Sequence, residues 1–155
     1  ISCNKQSYMR TSRRLSAVLH ALMHMAAHRE PMTSEVLAGC MSTHPVVVRR
    51  TMAGLREAGL VTSARGHNGG WSIACNMEKT TIRDIHEALG EPAVYAIANS
   101  SEAPQCLLEQ AVNAALDDAM KEAEALLLAR FQSLTLAQLA GDFTARMHAR
   151  HHRDR

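Results

Sequence analysis

Over residues 13–29 the apolar side chains Leu15, Val18, Leu19, Leu22, Met25 and Ala26 recur at the helical period and share one face. That spacing predicts an amphipathic helix with Thr11 or Ser12 as its N-cap. Pro31 ends it, and Thr33 or Ser34 followed by Glu35 opens a short second helix over 34–41, with Val36 and Leu37 expected to point inward. After a Ser-Thr-His-Pro turn, Pro45 suits the first turn of a third helix, where its missing N–H costs nothing. This helix is expected to reach Ala58, with Val47, Val48, Met52 and Leu55 as core positions and Gly59 as its stop. Short helix, tight turn, second helix and terminal glycine form the order of a helix-turn-helix, whose second helix enters the major groove.

Beyond Gly59 the period changes. Leu60, Val61 and Thr62 lead to Arg65, a turn of Gly66, His67, Asn68, Gly69 and Gly70, and then Trp71, Ser72, Ile73 and Ala74. Two short strands about a glycine-rich turn make a hairpin, and a hairpin behind a recognition helix is a wing with Arg65 at its base. A fourth helix follows, capped by Thr80 or Thr81, with Ile82, Ile85 and Leu89 on one face and Gly90 as its stop. Residues 91–104 are less regular and read as a loop in which Val94, Tyr95 and Ile97 are candidates to pack.

The longest helix is predicted over 105–133, where Leu108, Val112, Leu116, Ala119, Ala123, Leu126 and Arg130 recur at alternating steps of four and three. At 1.5 Å per residue it extends roughly 43 Å, more than a small winged domain can cover on both sides. Its outer face calls for a second copy of the chain. A short last helix is expected over 136–140, capped by Thr135, with 142–155 as a flexible basic tail. At the other end, residues 1–8 fit no periodic pattern and read as a tail before a winged domain at 9–90.

Composition narrows the fold. With 46% hydrophobic but only 3% aromatic residues in 155, the core must come from Ala, Leu, Val, Ile and Met, which favours packed helices and a mostly α fold. A chain of this length buries a core without metal or disulfide. The net charge of +2 conceals a division: residues 1–76 carry nine basic and three acidic side chains (9 − 3 = +6), and the rest carry eight and twelve (8 − 12 = −4). A basic first half suggests a polyanionic partner. Cys3, Cys40, Cys75 and Cys106 form no CxxC pair, so neither a zinc ribbon nor a disulfide framework is indicated and reduced thiols are expected. No apolar run approaches the ~20 residues that span a bilayer, and the first residues lack a signal peptide's regions. A soluble protein of the cytoplasm is the expectation, with no membrane contact.

Three segments resemble the Rrf2 family of bacterial winged-helix regulators, the group of IscR, NsrR and CymR. They are residues 9–26, the run HPVVVRRTMAGLREAGLV at 44–61 and the wing RGHNGGWSIA at 65–74. With the long helix and the closing LTLAQL at 134–139, the resemblance covers nearly all of the chain after Met9. The specific part is the arginine-glycine wing directly behind the Leu-Arg-x-Ala-Gly-Leu-Val end of the recognition helix. The resemblance implies a dimer paired through its long helices, reading an inverted-repeat operator in double-stranded DNA. It places His44, Val46, Arg49 and Arg50 on the base-reading face and Arg65 in the wing, beside His67 and Asn68. Helical geometry agrees for the arginine pair: adjacent positions point 100° apart, so one can reach a base edge while the other meets a phosphate.

The departures concern the signal. Cluster-binding relatives place three cysteines before the long helix; here only Cys106 stands there, so no iron-sulfur cofactor is expected. Cys106 near a helix start remains a candidate thiol sensor. His20, His24 and His28, at i, i+4 and i+8, are read first as a solvated face, with His20 and His24 as an alternative metal-sensing pair. An enzyme is not expected, since no phosphate-binding glycine loop, His-Glu-x-x-His or Ser/His/Asp arrangement is found. A winged helix that contacts protein instead of DNA is the other alternative, and Arg49, Arg50 and Arg65 on the presumed groove face count against it.

Overall fold

A computed structural model describes residues 4–28, 30–66, 69–90 and 106–153, with side chains over 13–28, 30–66, 69–90 and 106–146. His67, Asn68 and the loop at 91–104 lie outside these residues. The elements are α1 (Asn4–Ala27), α2 (Ser34–Cys40), α3 (Pro45–Glu57), β1 (Val61–Ala64), β2 (Gly70–Ile73), α4 (Ile82–Ala88), α5 (Leu107–Gln132) and α6 (Leu136–Arg153). The fold is a winged helix-turn-helix followed by a long helix. β1 and β2 pair antiparallel, with Val61 opposite Ile73 and Ala64 opposite Gly70.

Leu15, Val18, Ala21, Leu22 and Met25 form the buried stripe of α1, and α2, β2, α4 and α6 pack around that helix. Ala26 is exposed and Leu19 half-buried, which places Ala21 in the stripe instead. In α2 the cap decides the phase: the Thr33 hydroxyl accepts from the Val36 amide at 3.3 Å, and Ser34, Leu37 and Ala38 face the core. Val36, expected inward, is therefore 52% exposed. The same correction applies in α3, where Val48, Thr51, Met52 and Leu55 make the inner row at i, i+3, i+4 and i+7. Val47 lies one position off that row and is 49% exposed.

Both helices of the helix-turn-helix end in the same hydrogen-bonded turn. After α3, the amides of Gly59 and Leu60 donate to the carbonyls of Arg56 and Leu55, with Gly59 at φ +73°. After α2, Ser42 and Thr43 donate to Gly39 and Ala38, and Ser42 takes the left-handed conformation at φ 49° that glycine adopts without strain.

The wing is pinned by β2. Trp71 and Met32 exchange backbone hydrogen bonds of 3.0 and 2.9 Å, and the indole Nε1–H of Trp71 donates to the buried Ser34 Oγ at 3.0 Å. The backbones approach so closely that a Cβ on Gly70 would fall 2.7 Å from the Met32 carbonyl oxygen.

Thr81 caps α4 in a full capping box with Asp84, and the Arg14 guanidinium donates to the carbonyl of Leu89 at its other end. α5 buries none of its side chains. It is held at its C-terminal end, where Ile82 donates to Leu134, Leu136 to Thr80 and Ala137 to Met77, each at 2.9–3.0 Å. Leu136 behind this strap is fully buried.

Both predicted tails are shorter than expected. α1 begins at Asn4, inside residues 1–8, and α6 continues to Arg153 in place of a helix ending at Ala140 and a flexible 142–155 segment. Gly141 does not stop α6, because one glycine costs a helix only about 1 kcal/mol.

Trp71→Phe keeps an aromatic side chain but removes the indole N–H and leaves the buried Ser34 hydroxyl without its donor. Urea unfolding of this variant is expected to show a loss of about 1–2 kcal/mol.

Candidate nucleic-acid interface

The outward side of α3 is built by the same phase that buries Val48 and Met52. It presents Val46, Val47, Arg49 and Arg50 to solvent directly behind the turn. His44 is the exposed N-cap, its Nδ1 accepting from the Val46 amide at 3.3 Å. A ring that accepts through Nδ1 directs Nε2 away from the helix end, and the neutral imidazole then carries its proton on Nε2. Pro45 has no N–H to satisfy, and the amides of Val46, Val47 and Val48 donate to the Nδ1 and the carbonyl of His44, which closes the first turn.

The two arginines have different surroundings. Arg49 reaches back to Glu35 on α2, Nη1 to Oε1 3.4 Å, in an exposed ion pair. The Glu35 amide holds the Glu35 carboxyl below its ordinary value; desolvation opposes it, and the Thr33 hydroxyl and the Arg49 guanidinium add to the lowering. Glu35 is thus a standing anionic partner for Arg49 near neutral pH. Such an exposed pair is weak and is exchanged at little cost. Arg50 makes no ion pair among the described residues.

Arg65 follows β1 and is exposed at the base of the wing. Of the wing candidates it is the one described, since His67 and Asn68 lie outside the described residues. Arg56, not singled out in the sequence, links the two parts: its Nη1 donates to Ser63 Oγ on β1 at 3.3 Å, joining the end of α3 to the first wing strand. A basic residue in the last turn of a helix before a serine-bearing strand is a signal sequence reading passes over, because it needs the hairpin's position in space.

His20 and His24 are brought together on α1, with Nε2 atoms 3.0 Å apart. His28 lies just past the helix end at Ala27. Among the described residues no group of three His, Cys, Asp or Glu side chains gathers to hold a metal ion, and no helix is long and apolar enough to cross a membrane.

The sequence matches the family described as Rrf2, iron-dependent transcriptional regulator, over residues 11–142. A Bacillus subtilis protein named as the HTH-type transcriptional regulator YwnA is 24% identical over 111 residues, which are 72% of this chain and 82% of that protein. Among solved structures, a transcriptional regulator from Lactobacillus plantarum aligns with a TM-score of 0.71 at 23% identity, covering 90% of this chain and 96% of that one. Staphylococcus aureus CymR aligns with a TM-score of 0.58 at 23% identity, covering 84% and 95%. At these identities the structural likeness shows a shared fold.

The chain's own donors do not suit an iron-sulfur cluster held by neighbouring cysteines. Cys40 ends α2, Cys75 follows β2, and Cys106 alone stands before α5. A single thiolate does not hold a cluster. Cys106 is exposed at the N-cap of α5, and the backbone amides of Glu109 and Leu108 favour its thiolate and hold the thiol below its ordinary value, with desolvation opposing them. Alkylation needs the thiolate, so its rate rises with pH through that lowered value. Peptide-resolved iodoacetamide labelling is expected to show Cys106 with an inflection below that of the same thiol in the urea-unfolded chain; an inflection at or above it would remove the helix-start effect.

Proposed function

Since the chain belongs to the Rrf2 family of transcriptional regulators, we propose that it binds double-stranded DNA as a homodimer, as a repressor seated on an inverted-repeat operator. The observation that carries this reading is the outward face of α3, where Val46, Val47, Arg49 and Arg50 stand exposed behind the turn while Val48 and Met52 bury the opposite side. A helix held this way can lie in the major groove, with its N-terminal turn toward the bases. Arg49 then exchanges Glu35 for a phosphate or a guanine edge, Arg50 takes the other, and Val46 offers apolar contact to a thymine methyl. The His44 ring, turned outward by its capping bond, adds a donor at the groove edge. Arg65, with His67 and Asn68, supplies wing contacts to the neighbouring backbone. The arginines lie in the first half of the chain, whose charge of +6 (nine basic, three acidic) supports a polyanionic partner.

The dimer reading rests on α5. Its 26 residues extend about 39 Å, and Leu108 at 73% and Leu126 at 75% exposure lie on a face with Val112 and Leu116 that nothing in this chain covers among the described residues. The same face of a second copy covers it in a two-fold arrangement and sets the two α3 helices at a fixed spacing. No cofactor is part of this reading. Cys106, at the start of that helix, is the proposed signal input: oxidation or alkylation there changes the helix start and with it DNA affinity.

Fluorescence anisotropy on duplexes selected by the protein from a random pool tests the DNA reading. Affinity is expected to fall with salt at a log-log slope of several units, and Arg49→Ala or Arg50→Ala to cost about 1–3 kcal/mol; salt-independent binding, or none, overturns it. In the same assay, a Cys106→Ser protein that responds to oxidant as the wild type does removes Cys106 as the input. Sedimentation equilibrium tests the dimer: the double variant Leu116→Glu, Leu126→Glu is expected to sediment as a monomer with the helical content of the wild type.

A further inference from the structure

We propose that His20 and His24 of α1 form an open two-imidazole site for a borderline divalent transition-metal ion such as Zn2+ or Cu2+. The Nε2 atoms of the two rings stand 3.0 Å apart, with ring centroids separated by 4.6 Å and the planes crossing at 63°. Two imidazole nitrogens each about 2.0–2.1 Å from one tetrahedral ion sit roughly 3.3 Å apart, so the pair needs to open by only a few tenths of an ångström. One helical turn apart on one helix, both lone pairs can be aimed at the same point.

The proton inventory supports the same site. His20 Nδ1 lies 3.1 Å from the backbone carbonyl of Cys40, and a carbonyl only accepts, so Nδ1 of His20 carries a hydrogen. In the neutral ring Nε2 of His20 is then a bare acceptor, and the 3.0 Å contact is made by the hydrogen on Nε2 of His24. A metal ion takes the place of that shared hydrogen. The proton moves from Nε2 to Nδ1 of His24, both Nε2 lone pairs become available, and no net proton is released.

The bond from His20 Nδ1–H to a backbone carbonyl is the outer support that metal-bound histidines ordinarily have, and it holds the ring in the tautomer a ligand requires. The carbonyl belongs to the last residue of α2, so the site joins α1 to the first helix of the helix-turn-helix.

The His20–His24 contact is itself exposed, which gives an ion a way in and room for water on its remaining positions, and His20 and Cys40 also line an open cleft of about 1230 Å3 between α1 and the α2–α3 turn. With two protein ligands and no third His, Cys, Asp or Glu gathered among the described residues, the ion keeps exchangeable positions. Nitrogen ligands select zinc, copper or nickel over calcium or magnesium, and copper is expected to bind more tightly than zinc.

The test uses the full chain with His148, His151 and His152 changed to Gln, which removes the other histidine-rich segment. Zn2+ is titrated by calorimetry, and the imidazole nitrogens are followed by long-range 1H–15N spectra. The expected result is one ion per chain, His20 in the Nδ1–H tautomer before addition, and the Nε2 signals of His20 and His24 shifting together. His24→Gln is expected to weaken binding by at least about tenfold, while His28→Gln leaves it unchanged. Neither side chain is part of the buried core, and circular dichroism checks that each variant keeps its helices. Absence of Zn2+ binding, or unchanged affinity in His24→Gln, overturns the site.

Discussion

α1 carries a stripe of side chains that cannot stay in water, and the winged domain is arranged to cover it. Val18, Ala21 and Leu22 are almost wholly buried, with Leu15 and Met25 at the ends of the row. Full burial of each larger side chain contributes about 1.5–3 kcal/mol, so the elements against the stripe are held where it requires them. α2 lies on it directly; α3 packs on α2 and shares the same core through Val48, Met52 and Leu55. The orientation of the reading helix therefore follows from a hydrophobic requirement on α1 and needs no contribution from its own arginines.

Covering one helix leaves other faces bare. α3 spends one side on the core and has Val46, Val47, Arg49 and Arg50 left over, and α5 is tied down at its C-terminal end while the rest of its length stands clear. These are the two surfaces on which DNA binding and dimerisation are proposed to rest. The strap of residues 80–82 against 134–136 joins them mechanically, because backbone hydrogen bonds at 2.9 Å connect α4, which packs on α1, to the turn between α5 and α6.

Polar groups do the fine placement. Trp71 spends its N–H on Ser34, Thr33 and Thr81 close helix starts, and Arg14 closes the end of α4. The Trp71–Ser34 bond satisfies a donor and an acceptor that burial would otherwise strand, and the others close helix ends. Glu35 acts differently: it meets Arg49 across the α2–α3 surface in an ion pair that leaves both side chains exposed.

Order and type of the elements were legible in the chain itself. Pro31, Pro45, Gly59 and the glycines around His67 punctuate it, and the apolar period changes where helix gives way to hairpin. The contact candidates on α3 came with the family resemblance, and helical geometry agreed for the Arg49–Arg50 pair. Finer placement was not legible, since a period defines a face only to within about one residue. Val36 and Leu37 are equally apolar neighbours, and so are Val47 and Val48; which of each pair goes inward depends on the cap and on what packs against it. Nor does local sequence show that Trp71 meets Ser34, that Arg49 meets Glu35, or that the Cys40 carbonyl aligns His20 toward His24. Patterning along the chain was enough to specify a winged helix with a long helix behind it, because hydrophobic period and backbone punctuation act locally. The partners of its polar side chains were decided by the tertiary structure, since a hydrogen bond depends on a few tenths of an ångström between segments that only packing brings together.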